Sequence, residues 1–247
     1  STSRSMLPLI EVSAMVPPGA GDNRITVRIL EPWRCRGRIQ LWRPSYPGVM
    51  TGDLGHISSE EWEVRRDLAI AYRMFHHWGW DDLIYTHLSA RVPGPGHHFL
   101  LNPFDLGFDE ITPQNLVKVD MEGNAVIPTE HTTNPAGFVI HSACHMGRDD
   151  AACVMHLHTP DGQAVASMAD GLLAINQTSM FVHGFGIGYH DYESVANDLD
   201  ERERLVRDLG TNGVLMLRNH GTLVVGTSVA EAFTRAYYLE RACQVQV

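Results

Sequence analysis

The chain has 247 residues, of which 44% are hydrophobic and 19% are charged, and its formal net charge at pH 7 is −10. This length and composition are typical of one large or two small globular domains and exclude a disordered chain. The acidic balance argues against sequence-independent binding of nucleic acid and against docking on anionic membranes, so we expect neither partner.

Cysteine usage and hydropathy bear on the compartment. The cysteines form no C-x-x-C pair and show no regular spacing, at Cys35, Cys144, Cys153 and Cys243. We therefore expect neither a disulfide framework nor a cysteine zinc site. No stretch approaches about 18 consecutive apolar residues, and no apolar segment typical of a signal peptide is visible. These observations predict a cytoplasmic protein.

The chain is predicted to have an N-terminal arm and one main domain. Residues 1–56 are rich in proline, glycine and arginine and show no sustained periodicity. We predict an irregular arm there, whose Trp33 and Trp42 dock on the body or on a neighbouring subunit. The main domain is predicted to span 57–247.

The first regular element is a helix that begins near Ser58. The segment SSEE has the spacing of a capping box, and Leu68, Tyr72 and Phe75 recur at helical spacing, which predicts a helix to about Trp78. The segments DDLIYTHLSARV and HHFLLNPF then predict two strands joined by a PGPG turn. LVKVDMEGNAVI predicts a hairpin with Glu-Gly-Asn at its tip.

The second half of the chain alternates strand and helix patterns. Helices are predicted at 134–146, at 161–168, at about 193–209 and from Ser228 to about residue 244. Strands are predicted at ACVMHLH, in the stretch that leads to Tyr189, and on both sides of a tight turn at Asn219-His220-Gly221. This loose alternation with hairpins predicts one α/β domain, in which helices cover both faces of a mixed sheet.

Histidine is the unusual residue type, with 14 copies, and it directs attention to metal and proton chemistry. Residues two apart on a strand point to the same face, so His156 and His158 of VMHLH project together. Such a pair can close around one metal ion, although it also fits a hydrogen-bonded core. His220, in a turn before Gly221, supplies a third imidazole. Three neutral imidazoles are a common ligand set for zinc, iron or manganese.

Several motifs, in order, resemble the class II aldolase/adducin family in its bacterial adducin-like branch. The resemblance is carried by the H-x-H pair at His156, the N-H-G turn at His220, and the segments THLSAR, FLLNP, FDEIT, LVKVD, NPAGFVIH, YHDYE and LERAC. It covers about residues 60–247.

The resemblance implies a fold and a metal site. The fold is an α/β class, a three-layer α/β/α sandwich with a central mixed, largely antiparallel sheet, assembled as a homotetramer with active sites at subunit interfaces. It implies that His156, His158 and His220 bind one divalent ion, which is Zn, Mn or Fe. Eukaryotic adducin heads share the fold without this histidine set, so its presence favours metal binding.

The chain departs from the sugar-phosphate aldolases of this family. Those enzymes carry a catalytic glutamate four residues before the histidine that matches His141, and here that position is Gly137. A phosphate-binding glycine corresponds to Asp105 or a neighbour, and a carboxylate there would repel phosphate. We therefore expect a small-molecule carboxylic acid as the substrate. The residues assigned to substrate binding are His87, Arg91, Asn102 and Asn134.

Three residues are candidates for the acid–base role. Tyr189 and His190 lie in GYHDYE, where a turn after an apolar strand would expose them, and Glu130 precedes the helix predicted at 134–146. In the family, a tyrosine at a subunit interface commonly serves the leaving group. The competing interpretation is a packed tyrosine and a surface histidine. Arg91 has the fork that binds carboxylates bidentately, whereas Arg218 is expected to pair within the fold.

Two chemistries and one non-enzymatic role fit these residues. The first is a metal-dependent carbon–carbon lyase, of aldolase or decarboxylase type, that acts on an oxo, hydroxy or phenolic carboxylic acid. The second is a non-haem Fe(II) oxygenase acting on an aromatic oxo acid, similar to oxygenases of the same family. The third is an adducin-like interaction module without catalysis.

Overall fold

The computed structural model describes residues 57–193 and 200–247, together with two short antiparallel strands, β1 (Ser13–Ala14) and β2 (Ile25–Thr26). The chain divides into two compact units, Ser1–Gly52 and Asp53–Val247. Trp33, Trp42 and Cys35 lie outside the described residues. The docking of the arm on a neighbouring subunit therefore stays a prediction.

The second unit consists of strands and helices in mixed order. Its strands are β3 (His87–Arg91), β4 (Phe99–Leu101), β5 (Val117–Val119), β6 (Cys153–Leu157), β7 (Ile187–His190), β8 (Val214–Leu217) and β9 (Gly221–Gly226). Its helices are α1 (Ser59–Trp78), α2 (Pro135–Gly147), α3 (Pro160–Ser167), α4 (Gln177–His183), α5 (Glu201–Leu209) and α6 (Val229–Gln246). Among these helices, none combines the length and apolar character that a bilayer-spanning segment requires.

The seven strands form one sheet in the order β5-β4-β3-β6-β9-β8-β7. Neighbouring strands are antiparallel except β7 and β8, which are parallel, so the sheet is mixed and largely antiparallel as predicted. Strand β6 lies at the centre, between β3 and β9. The predicted H-x-H strand is therefore the middle strand of the sheet.

Helices cover both faces of this sheet, which gives three layers. On one face, α1, α3, α4 and α6 enclose the larger core, which includes Tyr72, Phe75 and Met155. On the other face, Ile140 of α2 and Leu205 of α5 belong to a second core. The strand residues in this core alternate along the chain with those of the larger core. Because side chains alternate along a strand, β6, β8 and β9 each contribute to both cores. The predicted three-layer α/β/α fold is confirmed.

Local capping explains where the predicted helices begin. The hydroxyl of Ser58 accepts a hydrogen bond from the Glu61 N–H at 3.1 Å, and that of Ser228 accepts one from Glu231 at 3.2 Å. Each satisfies an N–H group that the first helical turn leaves without a partner. Both helices were predicted from these signals, since they depend only on residues close in sequence.

Two predictions for the second half were wrong in part. The stretch leading to Tyr189 is not mostly strand, because α4 occupies Gln177–His183. The side chain of Asn176 caps α4 by accepting from the Ser179 N–H at 3.0 Å, and Val182 is buried in the larger core. The charged helix α5 begins at Glu201, whereas Glu193 lies outside regular structure and 194–199 are not described.

The hairpin predicted within 116–127 is also shorter than expected. Its second arm is reduced to a single bridge between Val119 and Ala125, next to the turn of Gly123. The three cysteines that the structure describes, Cys144, Cys153 and Cys243, are buried free thiols.

Candidate metal centre

The central strand β6 positions the first two histidines. His156 lies within β6 and His158 follows its last residue. Nδ1 of His156 is 2.9 Å from the carbonyl oxygen of Thr222 on β9. Nδ1 of His158 is 3.1 Å from Oδ2 of Asp82, which precedes β3. Two different parts of the fold thus fix the two ring orientations.

His220 comes from the turn between β8 and β9. Asn219 adopts the left-handed conformation with φ of 56°, a conformation that Asn tolerates better than most residues. Gly221 does not have a positive φ, and a glycine is required here because a side chain would not fit. A Cβ at this position would lie 2.5 Å from the Leu157 carbonyl oxygen and 2.9 Å from Cδ2 of His158. The glycine therefore lets the turn approach the end of β6.

The three rings form one compact cluster. The centroid of the His156 ring lies 4.6 Å from that of His158 and 4.8 Å from that of His220, and the His158 and His220 centroids are 4.8 Å apart. One ring nitrogen from each residue lies within 4.8 Å of the others. A set of this kind is of the size that one metal ion can bridge.

The hydrogen bonds determine which nitrogens face the centre. Because the Thr222 carbonyl and the Asp82 carboxylate accept from Nδ1 of His156 and His158, both Nε2 atoms carry lone pairs. These two Nε2 atoms are 2.8 Å apart. Two lone pairs at that distance repel each other unless a cation lies between or beside them. The donor set therefore fits a divalent metal.

Burial keeps the imidazoles of His156 and His220 neutral, as metal ligands must be. Loss of hydration holds the pKa of His156 well below its ordinary value, and the neighbouring His158 and His220 rings lower it further. Burial likewise lowers the pKa of His220 to about 4. At neutral pH the lone pairs of these two rings are available for a metal ion.

Next to this cluster, His87 occupies the space beside Gly137. His87 pairs with His156 across β3 and β6, and the two ring centroids are 5.0 Å apart. A Cβ on Gly137 would lie 2.9 Å from Cδ2 of His87. The position that the family resemblance assigns to a glutamate is therefore filled by an imidazole from the neighbouring strand.

His87 is one end of a buried hydrogen-bonded chain between β3 and α2. Its Nδ1 lies 2.7 Å from Nε2 of His141, and the Ser89 hydroxyl bonds to Nδ1 of His141 and, at 2.7 Å, to Nε2 of His145. Nδ1 of His145 is 2.7 Å from the Ala151 carbonyl oxygen. The Ala151 carbonyl can only accept, so Nδ1 of His145 carries the proton and its Nε2 accepts from the Ser89 hydroxyl. The Ser89 oxygen then accepts from Nδ1 of His141, and Nε2 of His141 accepts from Nδ1 of His87. This leaves a lone pair on Nε2 of His87.

The sequence analysis did not predict this row of hydrogen-bonded side chains. Burial lowers the pKa of His87 and of His145 to about 3, and holds that of His141 well below its ordinary value, so all three rings are neutral. A signal existed in the sequence. His87 and Ser89 are two apart on a strand, and His141 and His145 are four apart on a helix, so each pair shares one face. What the sequence did not show is that the two faces meet.

The three acid–base candidates are not brought together. His190 lies on the same sheet face as His156 and lines a pocket with His220. Tyr189 packs on the opposite face, where its hydroxyl accepts from the Leu172 N–H at 3.2 Å. Glu130 is exposed in the loop before α2. The acid–base roles of Tyr189, His190 and Glu130 therefore stay predictions.

Of the predicted substrate-binding residues, His87 lies beside the cluster, and the other three bond within the fold. Arg91 donates to the carbonyl oxygens of Asp149 at 2.9 Å and Arg148 at 3.1 Å, so it braces the end of α2. Asn102 is buried and accepts from the Tyr72 hydroxyl at 2.9 Å. Asn134 caps α2 by accepting from the Ala136 N–H at 3.0 Å.

Arg91, Asn102 and Asn134 therefore each hold part of the fold together in one chain, and their roles in substrate binding stay predictions. Arg218 pairs within the fold as expected. It donates to the Met168 carbonyl oxygen at 2.8 Å and its guanidinium lies 4.6 Å from the centroid of the Tyr189 ring.

Comparison with known proteins agrees with this architecture. Residues 66–247 match the family described as Class II Aldolase and Adducin N-terminal domain. A protein of Caulobacter vibrioides named "Putative aldolase class 2 protein" is 54% identical over 193 residues, which are 78% of this chain and 75% of that protein. Alpha-adducin of Mus musculus is 42% identical over 187 residues, which are 74% of this chain but 25% of that protein.

Two solved structures show the same fold. An aldolase II superfamily protein from Pseudomonas syringae has a TM-score of 0.75 and 54% identity, and the match covers 77% of each chain. L-fuculose 1-phosphate aldolase from Glaciozyma antarctica PI12 has a TM-score of 0.69 and 29% identity over 81% of this chain and 77% of that one. The resemblance found in the motifs is confirmed, and the chain belongs to the class II aldolase/adducin family.

Proposed function

We propose that the chain is a divalent-metal-dependent carbon–carbon lyase, of aldolase or decarboxylase type, that acts on an oxo, hydroxy or phenolic carboxylic acid. The observation that carries this proposal is the facing pair of Nε2 atoms in His156 and His158, 2.8 Å apart and both set as acceptors, with His220 beside them. A Zn, Mn or Fe ion bound there would supply Lewis-acid polarisation of the substrate oxygens.

The protein's own groups prepare this site. The Thr222 carbonyl and the Asp82 carboxylate fix two imidazole rings with Nε2 toward the centre, an arrangement that outer groups of metal sites commonly provide. His87 fills the space beside Gly137, so that no carboxylate proton shuttle fits there. A decarboxylation suits this site, because CO2 leaves without a base abstracting a proton from carbon. The carbanion that remains must then take up a proton from an acid.

Sugar phosphates are the competing substrate class, since one relative of 29% identity is named an L-fuculose 1-phosphate aldolase. Asp105, at a position that the family resemblance assigns to phosphate binding, is an exposed carboxylate. It lies 3.1 Å from Nδ1 of His131. A carboxylate there disfavours a phosphate dianion. This argument supports a carboxylic acid over a sugar phosphate.

A non-catalytic role is the second candidate function, and the 42% identity to alpha-adducin favours it. The two roles make different demands on the histidine cluster. An interaction module needs no bound ion, whereas the lyase needs one ion at the three-histidine cluster of each chain. Metal content therefore separates them.

The first experiment is anaerobic purification followed by elemental analysis of three proteins. Wild type is expected to hold one ion at the cluster, and His156→Ala is expected to lose it. The matched control His77→Ala, on the exposed end of α1, is expected to keep it. Wild type that takes up no Zn, Mn or Fe at this cluster would contradict the lyase and favour the interaction module.

The second experiment assays wild type on sugar phosphates and on aromatic and aliphatic oxo acids in parallel, with Mn, Zn and Fe supplied in turn. Turnover of an oxo acid that His156→Ala abolishes supports the proposal. Oxygen uptake with Fe would indicate the oxygenase chemistry instead. Efficient cleavage of a sugar phosphate would contradict the proposed substrate class.

A further inference from the structure

A second cluster of ligand-type side chains lies outside the three-histidine centre, between the end of β7 and α5. His190 is the last residue of β7, and Glu201 is the first residue of α5. One nitrogen of His190 and one oxygen each of Glu193 and Glu201 lie within 4.8 Å of one another. The cluster faces a pocket that His220 also lines.

The imidazole of His190 is oriented by a carboxylate. Nδ1 of His190 lies 2.8 Å from Oδ2 of Asp208 on α5, and a carboxylate only accepts, so the proton is on Nδ1. In the described parts of the chain, Nε2 is buried and has no hydrogen-bond partner. It faces Oε1 of Glu201 at 3.4 Å and Oε1 of Glu193 at 3.9 Å.

This arrangement calls for a positive charge. With the ring proton on Nδ1 alone, the Nε2 lone pair faces two carboxylate oxygens, which is repulsive, and a buried nitrogen without a hydrogen-bond partner is costly. Arg204 pairs with Glu193 at 2.5 Å and Arg207 pairs with Asp208 at 2.9 Å. Glu201 is only 6% exposed, and burial raises the pKa of its carboxyl group. The centre of the cluster, between His190 and Glu201, is where additional positive charge is needed.

We propose that His190, Glu193 and Glu201 bind a second divalent cation, with Asp208 as the residue that orients His190. One imidazole and two carboxylates suit Zn or Mn. A carboxylate on the other ring nitrogen is the usual partner of a metal-bound histidine. The site shares no ligand with the three-histidine centre.

A consequence for the substrate rests on the proposed function. Without a cation, Glu193 and Glu201 place negative charge in the pocket beside His220, where an anionic carboxylic acid would be repelled. A divalent cation offsets that charge. The second site would therefore make the pocket compatible with an anionic substrate.

Equilibrium dialysis of the full chain against Mn²⁺ and Zn²⁺ tests this proposal by stoichiometry. Wild type is expected to bind two ions per chain, and Glu201→Gln is expected to bind one. The control Glu203→Gln removes an exposed carboxylate from the same helix and is expected to keep two. Asp208→Asn is expected to weaken the second ion by about 10- to 100-fold, as loss of a supporting carboxylate typically does.

The two metal proposals fail in different ways. His156→Ala is expected to bind one ion and His156→Ala/Glu201→Gln none. If wild type binds one ion and only Glu201→Gln loses it, the second site stands and the three-histidine proposal fails. If Glu201→Gln binds as many ions as wild type, the second site is overturned. Circular dichroism checks folding, and His190→Gln replaces Glu201→Gln if that variant does not fold.

Discussion

The imidazole of His87 takes the space that a side chain on Gly137 would need. A Cβ on Gly137 would lie 2.9 Å from Cδ2 and 3.0 Å from Cγ of His87. His87 is buried and is held by His141 at 2.7 Å, so it cannot move aside without breaking a buried hydrogen bond. The glycine and the histidine are therefore mutually dependent.

We expect Gly137→Ala to destabilise the protein, although alanine is the better helix former by about 1 kcal/mol. Overpacking costs about 1–3 kcal/mol, and a broken buried hydrogen bond adds about 1–3 kcal/mol. Chemical denaturation measures the change in free energy of unfolding. In a His87→Ala background the same substitution is expected to be neutral or stabilising. An equal loss in both backgrounds would show that His87 is not the cause.

The free energy of unfolding is expected to decrease as the pH is lowered, because buried histidines resist protonation. Burial lowers the pKa of His145 to about 3, whereas an unfolded histidine titrates near 6.5. Unfolding therefore takes up a proton between these pH values. The stability due to a neutral His145 is complete above about pH 6.5 and is lost toward pH 3, by about 1.4 kcal/mol per pH unit.

Urea unfolding of metal-free protein at a series of pH values between 7 and 4 measures this dependence. The slope of the unfolding free energy against pH reports the number of protons taken up on unfolding. His145→Gln is expected to lower that number by about one, because the other titrating groups are the same in both proteins. His77→Ala, which removes an exposed histidine, is the control. An unchanged slope in His145→Gln would contradict the assignment of a neutral buried ring.

The predicted tetramer would cover an exposed apolar surface. Ile175 and Met180 are 60% and 57% exposed, and Leu173 and Phe181 are exposed near them in sequence. Light scattering is expected to give four times 27.5 kDa. Burying a large apolar side chain contributes about 1.5–3 kcal/mol, so Ile175→Asp/Met180→Asp is expected to shift the mass downward. Leu83→Asp, at a separate exposed leucine, is the control, and a stable wild-type monomer would contradict the assembly.

Tyr189 is expected to act on a substrate bound by another copy of the chain. It lies on the sheet face opposite the histidines, and its hydroxyl accepts a hydrogen bond, which leaves its proton available. Tyr189→Phe is expected to lower turnover of the oxo acid by about 10²–10⁴-fold. Mixed tetramers of Tyr189→Phe and His156→Ala are expected to recover about a quarter of the activity, since an interface site can combine two intact halves. No recovery on mixing would contradict an interface site.

Local sequence was sufficient for much of the fold and for the histidine cluster. The start of α1 at Ser58 and of α6 at Ser228 depends on hydrogen bonds that span three residues. The shared face of His156 and His158 depends on the alternation of a strand. The order of the motifs indicated the family, and with it the three layers and the third histidine, His220.

Tertiary structure alone decided what surrounds that cluster. The contacts of His87 with His141 and of Arg91 with Asp149 join residues 54 and 58 apart in sequence. No local pattern indicates that Arg91 braces the end of a helix. The side of the sheet on which Tyr189 and His190 lie depends on the register of β7 against β8. Sequence periodicity shows that two adjacent strand residues face opposite sides, but only packing against α5 or the larger core decides which side each one takes.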